Sequence, residues 1–264
     1  MSTKIISGRG GAVNGQPCVD LWRAARITKP AEAICSASGG SIVRGPGIHD
    51  WRGIYTGFGH TPSVLAGTTF QFKGNTRGGK GAQSIADGAI VDRTEITWDI
   101  EGGKFIEFAN QFSRATDELS YGDVTASDST TPEPSGPRDC TLDLTGCTEL
   151  RKMKFSLISD NPEAVTASTD GGVERDAGNK DAEFECDIYT MDADFPAESA
   201  IAEINFGVGD GTSWTMKWAI VTLVAPLLPI RRGYFQASLA GKFTGYYGGA
   251  QGTITTPAGA AWWP

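Results

Sequence analysis

The chain of 264 residues lacks any apolar run near the ~20 residues that cross a bilayer. Its longest, residues 219–230, is broken by Pro226 and Pro229, so no membrane partner is expected. The first residues lack the apolar stretch and small-residue cleavage site of a secretory leader, so folding in a cytosol is expected. Basic charge is scarce. Lys and Arg number 23 against 31 Asp and Glu, giving a formal net charge of −8 and a pI near 4.9. That excludes a surface built to capture nucleic-acid phosphates, which needs a basic footprint, but not a surface that DNA slides past. Histidine is scarcer still: only His49 and His60 occur, without a Cys-x-x-Cys pair, so no metal and no cofactor are expected. The five cysteines (Cys18, Cys35, Cys140, Cys147 and Cys186) are odd in number and read as free thiols; Cys140 and Cys147 bracket a strand-like segment and are close enough in sequence to approach one another. Gly (35) and Pro (13) together make roughly 18% of the chain, leaving little room for long helices.

What is present is alternation. Residues 90–100, 104–112, 152–158, 182–189, 201–208, 213–224 and 234–243 are rich in β-branched and aromatic side chains at a period of two. In residues 90–100, Ile96, Trp98 and Ile100 share one face with Thr94, while Arg93, Glu95, Thr97 and Asp99 share the other. Turns are expected at Gly102-Gly103, Gly171-Gly172 and Gly209-Asp210-Gly211, where glycine supplies positive φ. The reading is an all-β, antiparallel β-sandwich or barrel with one short flanking helix and extended arms. Residues 196–203, entered through Asp194, suit that helix, and residues 19–27 are helix-compatible.

Residues 123–139 nearly lack apolar side chains and hold three prolines within six residues, as a linker or a long exposed loop would. The division read from this is an N-terminal arm (1–33), a first β domain (34–122), the linker (123–139), a second β domain (140–247) and a C-terminal arm (248–264). A long loop within one β domain is the alternative. Trp98 and Trp218, about 120 residues apart, sit in similar hairpin-like contexts, consistent either with a duplicated domain or with chance likeness between hairpins.

Motifs for chemistry are incomplete. Residues 74–81, Gly-Asn-Thr-Arg-Gly-Gly-Lys-Gly, match the start of a phosphate-binding loop, but Gly81 stands where a magnesium-binding hydroxyl is needed and no helix-length segment follows. Asp99 and Glu101 have the spacing of paired glycosidase carboxylates, and equally that of a solvated strand face. Trp262 and Trp263 suit either an anchor on a neighbouring subunit or a platform for sugar rings, the anchor being favoured.

Residues 50–62 (Asp-Trp-Arg-Gly-Ile-Tyr-Thr-Gly-Phe-Gly-His-Thr-Pro), residues 98–103 (Trp-Asp-Ile-Glu-Gly-Gly) and the closing segment 234–247 resemble segments of tailed-phage virion proteins, most like tail-tube subunits. The resemblance implies a β-sandwich or barrel with one flanking helix and long arms that link stacked rings. It further implies a non-enzymatic, ring-forming subunit lining a channel for DNA, made in the host cytoplasm, located in the virion, and contacting copies of itself and other virion proteins. No catalytic residue is carried over. A capsid decoration protein and a carbohydrate-binding or glycan-cleaving β-sandwich are the alternatives. On the tube reading, DNA is a passing cargo, and an acidic wall built from Glu95, Asp99, Glu101, Glu183, Glu185 and Asp187 would leave it free to slide; the same residues would also keep an exterior face soluble.

Overall fold

The computed structural model describes residues 11–34, 36–39, 41–60, 62–76, 79–127, 140–144, 149–166, 171–190, 196–227 and 235–263. It is nearly all β. Ten strands form the backbone of one antiparallel sheet: β1 (Val19–Ile34), β2 (Ile42–Phe58), β3 (Ala89–Asp99), β4 (Glu107–Arg114), β5 (Cys140–Asp143), β6 (Glu149–Asp160), β7 (Asn179–Thr190), β8 (Ile201–Val208), β9 (Ser213–Leu227) and β10 (Phe235–Phe243). Their spatial order is β5-β8-β9-β10-β7-β6-β3-β4-β2-β1. A separate four-stranded sheet joins Ala12–Val13, Lys73–Asn75, Lys80–Gln83 and Ser120–Asp123.

The alternation read from the sequence becomes two layers. In the first half, β2 and β4 send Trp51, Tyr55, Phe108 and Phe112 inward against Phe70 and Phe72, the latter carried beside the small sheet. Phe72 and Phe112 have ring centroids 4.5 Å apart. In the second half the long sheet folds back on itself. Phe155 of β6 meets Phe206 of β8 at 5.3 Å and Trp214 of β9 at 5.4 Å. Burying rings of this size supplies most of the driving force for the layering.

Segment 123–139 interrupts the sequence but not the sheet. β3 of the first half pairs with β6 of the second from Asp99↔Lys152 to Arg93↔Ile158, and one contiguous core cluster includes side chains of both halves. Residues 128–139 themselves lie outside the described residues.

Two local expectations are corrected, and one comparison between the halves is resolved residue by residue. Residues 19–27 are strand, not helix, because β1 pairs with β2 along nearly its whole length and this pairing overrides a weak local preference. Much of the segment read as an N-terminal arm is therefore one side of a long hairpin. Residues 198–199 form a turn leading into β8, and Ser36–Ser38, a 3₁₀ turn, is the helical element among the described residues. Trp98 and Trp218 are not equivalent. Trp98 is wholly buried, whereas Trp218 is the extra residue of a β-bulge, with φ +71°, turned against Tyr247.

Candidate assembly surfaces

β3, β6, β7 and β10 present their polar side chains on the face opposite the core. Register sets them in rows: Asp99, Lys152, Asp187 and Ser238; Thr97, Lys154, Glu185 and Ala240; Glu95, Ser156, Glu183 and Lys242. Five of the six acidic candidates thus share one face. The sixth, Glu101, lies in the turn after β3 and accepts a 2.7 Å hydrogen bond from Arg151. Burial works against the charge of Arg151, but Glu101 outweighs it and raises its pKa. The guanidinium also stacks over Tyr189 at 4.6 Å.

Much of the acidic charge on this face is paired. Arg93 reaches Glu95 at 2.7 Å and Glu183 at 2.8 Å, Lys154 reaches Glu95 at 2.8 Å, and Lys152 lies 4.0 Å from Asp99. These five carboxylates stand among Arg93, Lys152, Lys154 and Lys242, and Asp160 and Asp181 continue the same face beyond Ser156 and Glu183, so acidic groups still outnumber basic ones while several are paired. Cross-strand neighbours of like charge repel, which is why the sheet interleaves opposite signs. A shallow groove of about 490 Å³ crosses this face over Ser238 and Ala240, whose small side chains leave the space. Asp99 and Glu101 do not face one another as a catalytic pair. Asp99 accepts the Gly102 N–H at 2.8 Å while Glu101 is held by Arg151.

Among the described residues the end strands of the sheet are β5, which pairs only with β8, and β1, and a further stretch at the end of β9 is unpaired on one side. β1 pairs only with β2, and the end of β9, residues 223–227, pairs only with β10 among the described residues. Both edges carry exposed aliphatic side chains, Leu21 on β1 and Leu223 and Leu227 on β9. An open edge of this length is a template for pairing with another chain.

Trp262 is not free to anchor a neighbour. It is 6% exposed, its indole N–H donates to Ala66 O at 2.9 Å, and the Lys180 ammonium lies 5.1 Å from the ring centre. The C-terminal segment doubles back, Thr253–Thr255 pairing with β9 and with Ala261–Trp263, and so brings the ring into the chain's own core. Trp263 pairs through its backbone with Ile254, and its side chain lies outside the described residues.

Other singled-out residues fall into structural roles. Lys73–Asn75 and Lys80–Gln83 pair as antiparallel strands, so the strand after Gly79 is not the helix a phosphate-binding loop enters. A Cβ at Gly81 would lie 1.9 Å from Gly74 O, so the close strand approach requires glycine there. His49 Nε2 lies 2.6 Å from Glu118 and His60 Nε2 3.6 Å from Asp210; burial pushes the His60 pKa down against the pull of Asp210. Cys140 and Cys186 are buried thiols, and Cys147 and Cys35 lie outside the described residues.

Sequence reasoning missed one cluster. Arg175 is almost fully buried and donates to both oxygens of Asp50, at 2.8 and 2.7 Å, and to Glu163 at 2.7 Å, with Arg52 also on Asp50 and Glu163. Burial alone would raise the Asp50 pKa, but the Arg175 hydrogen bonds and charge, helped by the Trp51 N–H and Arg52, hold it below the usual carboxylate range. These groups clamp the base of the β1–β2 hairpin to the strands Glu163–Ala164 and Glu174–Arg175. Asp50 and Arg175 lie 125 residues apart, and no spacing signal links them.

The chain matches no protein-family model and no curated protein sequence.

Proposed function

We propose that this chain is a non-enzymatic virion structural subunit that associates head-to-tail into rings or a tube, forming a tail channel for DNA. The observation that carries this reading is the two unpaired segments with exposed aliphatic side chains, on β1 and at the end of β9. Between them run eight strands, β9-β10-β7-β6-β3-β4-β2-β1, and every neighbouring pair is antiparallel. In an even run of antiparallel strands the first and last point in opposite directions. The β9 edge of one copy set beside the β1 edge of the next therefore continues the alternation. Such a contact uses two different surfaces of the same chain, and repeated contacts of that kind close into a ring when the rotation per copy divides a full turn.

The polar face is the surface suited to a passing polyanion. Its acidic groups outnumber the interleaved Lys and Arg, which leaves no net positive potential to hold phosphates by counterion release. The wall of this mechanism is acidic, with part of its charge paired.

Sedimentation velocity and negative-stain microscopy of the full chain test the reading. Wild type is expected to form rings or tubes. Leu21→Lys and Leu227→Lys each place an ammonium on one edge and are expected to leave monomers, with thermal midpoints within about 2 °C of wild type, as exposed substitutions cost little. A wild-type chain that stays monomeric, or a double variant that still assembles, overturns it.

A further inference from the structure

The β1–β2 hairpin differs in charge from the chain that carries it. Residues 22–49 hold Arg23, Arg26, Lys29 and Arg44 against Glu32 alone, a net of +3, which leaves −11 for the rest of a chain whose total is −8. Among the described residues, hydrogen bonds hold the hairpin to the body at its base. Arg26 donates to Leu119 O, and the His49 backbone bonds Gly171 and Val173. Beyond Thr28 and His49 the ribbon of Lys29–Ile34 and Ile42–Ile48 extends about 20 Å at ~3.3 Å per residue.

The tip of this outer ribbon is apolar on both faces. Ile34 pairs with Ile42 on one and Ala33 with Val43 on the other; Ile34 is 67%, Val43 51% and Ile42 47% exposed. A two-stranded ribbon is marginal in water unless another surface covers it, and exposed aliphatic side chains grouped at a tip mark an interaction site. The charge indicates what covers it. Arg44 is tied to Glu32 at 2.7 Å, so the outer ribbon keeps only Lys29 as a basic group without a carboxylate on its own hairpin. That is too little for a polyanion, and Ile34, Ile42 and Val43 gain nothing from phosphates. An acidic protein surface with apolar contacts satisfies both features, and the remainder of this chain, at −11, is such a surface.

We propose that the hairpin of one copy docks through Ile34, Ile42 and Val43 onto the acidic body of a second copy, with Arg23 and Lys29 supplying electrostatic steering. The inference rests on the assembly reading above and adds a contact that the sheet edges do not make.

The test uses the full chain in two forms. In the first, Ile34→Ser with Ile42→Ser is compared with wild type by sedimentation. Association is expected to weaken at least tenfold, with the thermal midpoint within about 2 °C because both residues are exposed. In the second, a benzophenone amino acid replaces Ile34, and ¹⁵N-labelled and unlabelled chains are mixed before irradiation. Cross-links between labelled and unlabelled chains are expected at Asp- and Glu-rich peptides, with a yield that falls in 0.5 M NaCl. Cross-links confined to single chains, unchanged association of the serine variant, or hairpin-dependent binding of a duplex DNA probe would each overturn the proposal. Edge variants that still assemble while the serine variant does not would overturn edge pairing and leave hairpin docking standing; the converse would do the reverse.

Discussion

Truncating Trp262 to alanine should unfold the subunit more readily rather than merely disperse an assembly. The indole fills space in the core, donates its N–H to Ala66 O, and receives Lys180, whose ammonium also donates to the Trp262 carbonyl at 3.1 Å. Ala66 belongs to the first half of the chain and is held from its other side by the Thr94 hydroxyl, which accepts the Ala66 N–H at 3.0 Å. The substitution therefore opens a cavity at a junction between halves and leaves a buried carbonyl without its donor. Truncations of buried large aromatics cost about 3–5 kcal/mol, and we expect about 4 kcal/mol here. At roughly 2–4 °C per kcal/mol for a chain of this size, the midpoint falls by about 8–16 °C. Differential scanning calorimetry of the isolated subunit measures the shift, and urea titration provides the free energy. Trp262→Phe keeps most of the volume but loses the N–H, and should cost about 1–2 kcal/mol. A loss below about 1 kcal/mol for Trp262→Ala, together with weakened self-association, would refute the argument and restore Trp262 as an anchor.

Two further outcomes are expected. Gly81→Ser completes the Gly-Lys-Ser signature of a phosphate-binding loop but drives a Cβ into Gly74 O, so it should destabilise the small sheet by about 1–3 kcal/mol and bring no nucleotide binding by calorimetric titration. The Arg175–Asp50 pair sets an acid limit. Because the folded Asp50 pKa lies below its unfolded value near ~3.9, its contribution is present above that pH and is lost as pH falls through the folded pKa. Arg175→Met should cost about 3–5 kcal/mol at neutral pH by leaving buried Asp50 without its partner, and should flatten the stability loss below about pH 4, measured by urea titration across pH 2–7. A variant as acid-sensitive as wild type would contradict that role.

The all-β fold, the strand segments and the polar side of β3 were legible in the chain, because alternation is a local property. Each residue's side follows from its neighbours at a period of two, as Arg93, Glu95, Thr97 and Asp99 show opposite Ile96 and Trp98. The acidic candidates Glu183, Glu185 and Asp187 fell on the same face as Glu95 and Asp99 for the same reason. Which strands meet was decided only in three dimensions. The pairing of β3 with β6 across residues 123–139 places Lys152 and Lys154 beside Asp99 and Glu95 and so pairs part of a charge that looked acidic strand by strand. Tertiary structure likewise turned residues 19–27 from a helix-compatible stretch into the edge of a hairpin, since strand pairing outweighs fractions of a kcal/mol of propensity. It also drew Trp262 into the core and joined Asp50 to Arg175. Contacts between residues so distant in sequence depend on the whole chain folding, and no local pattern encodes them.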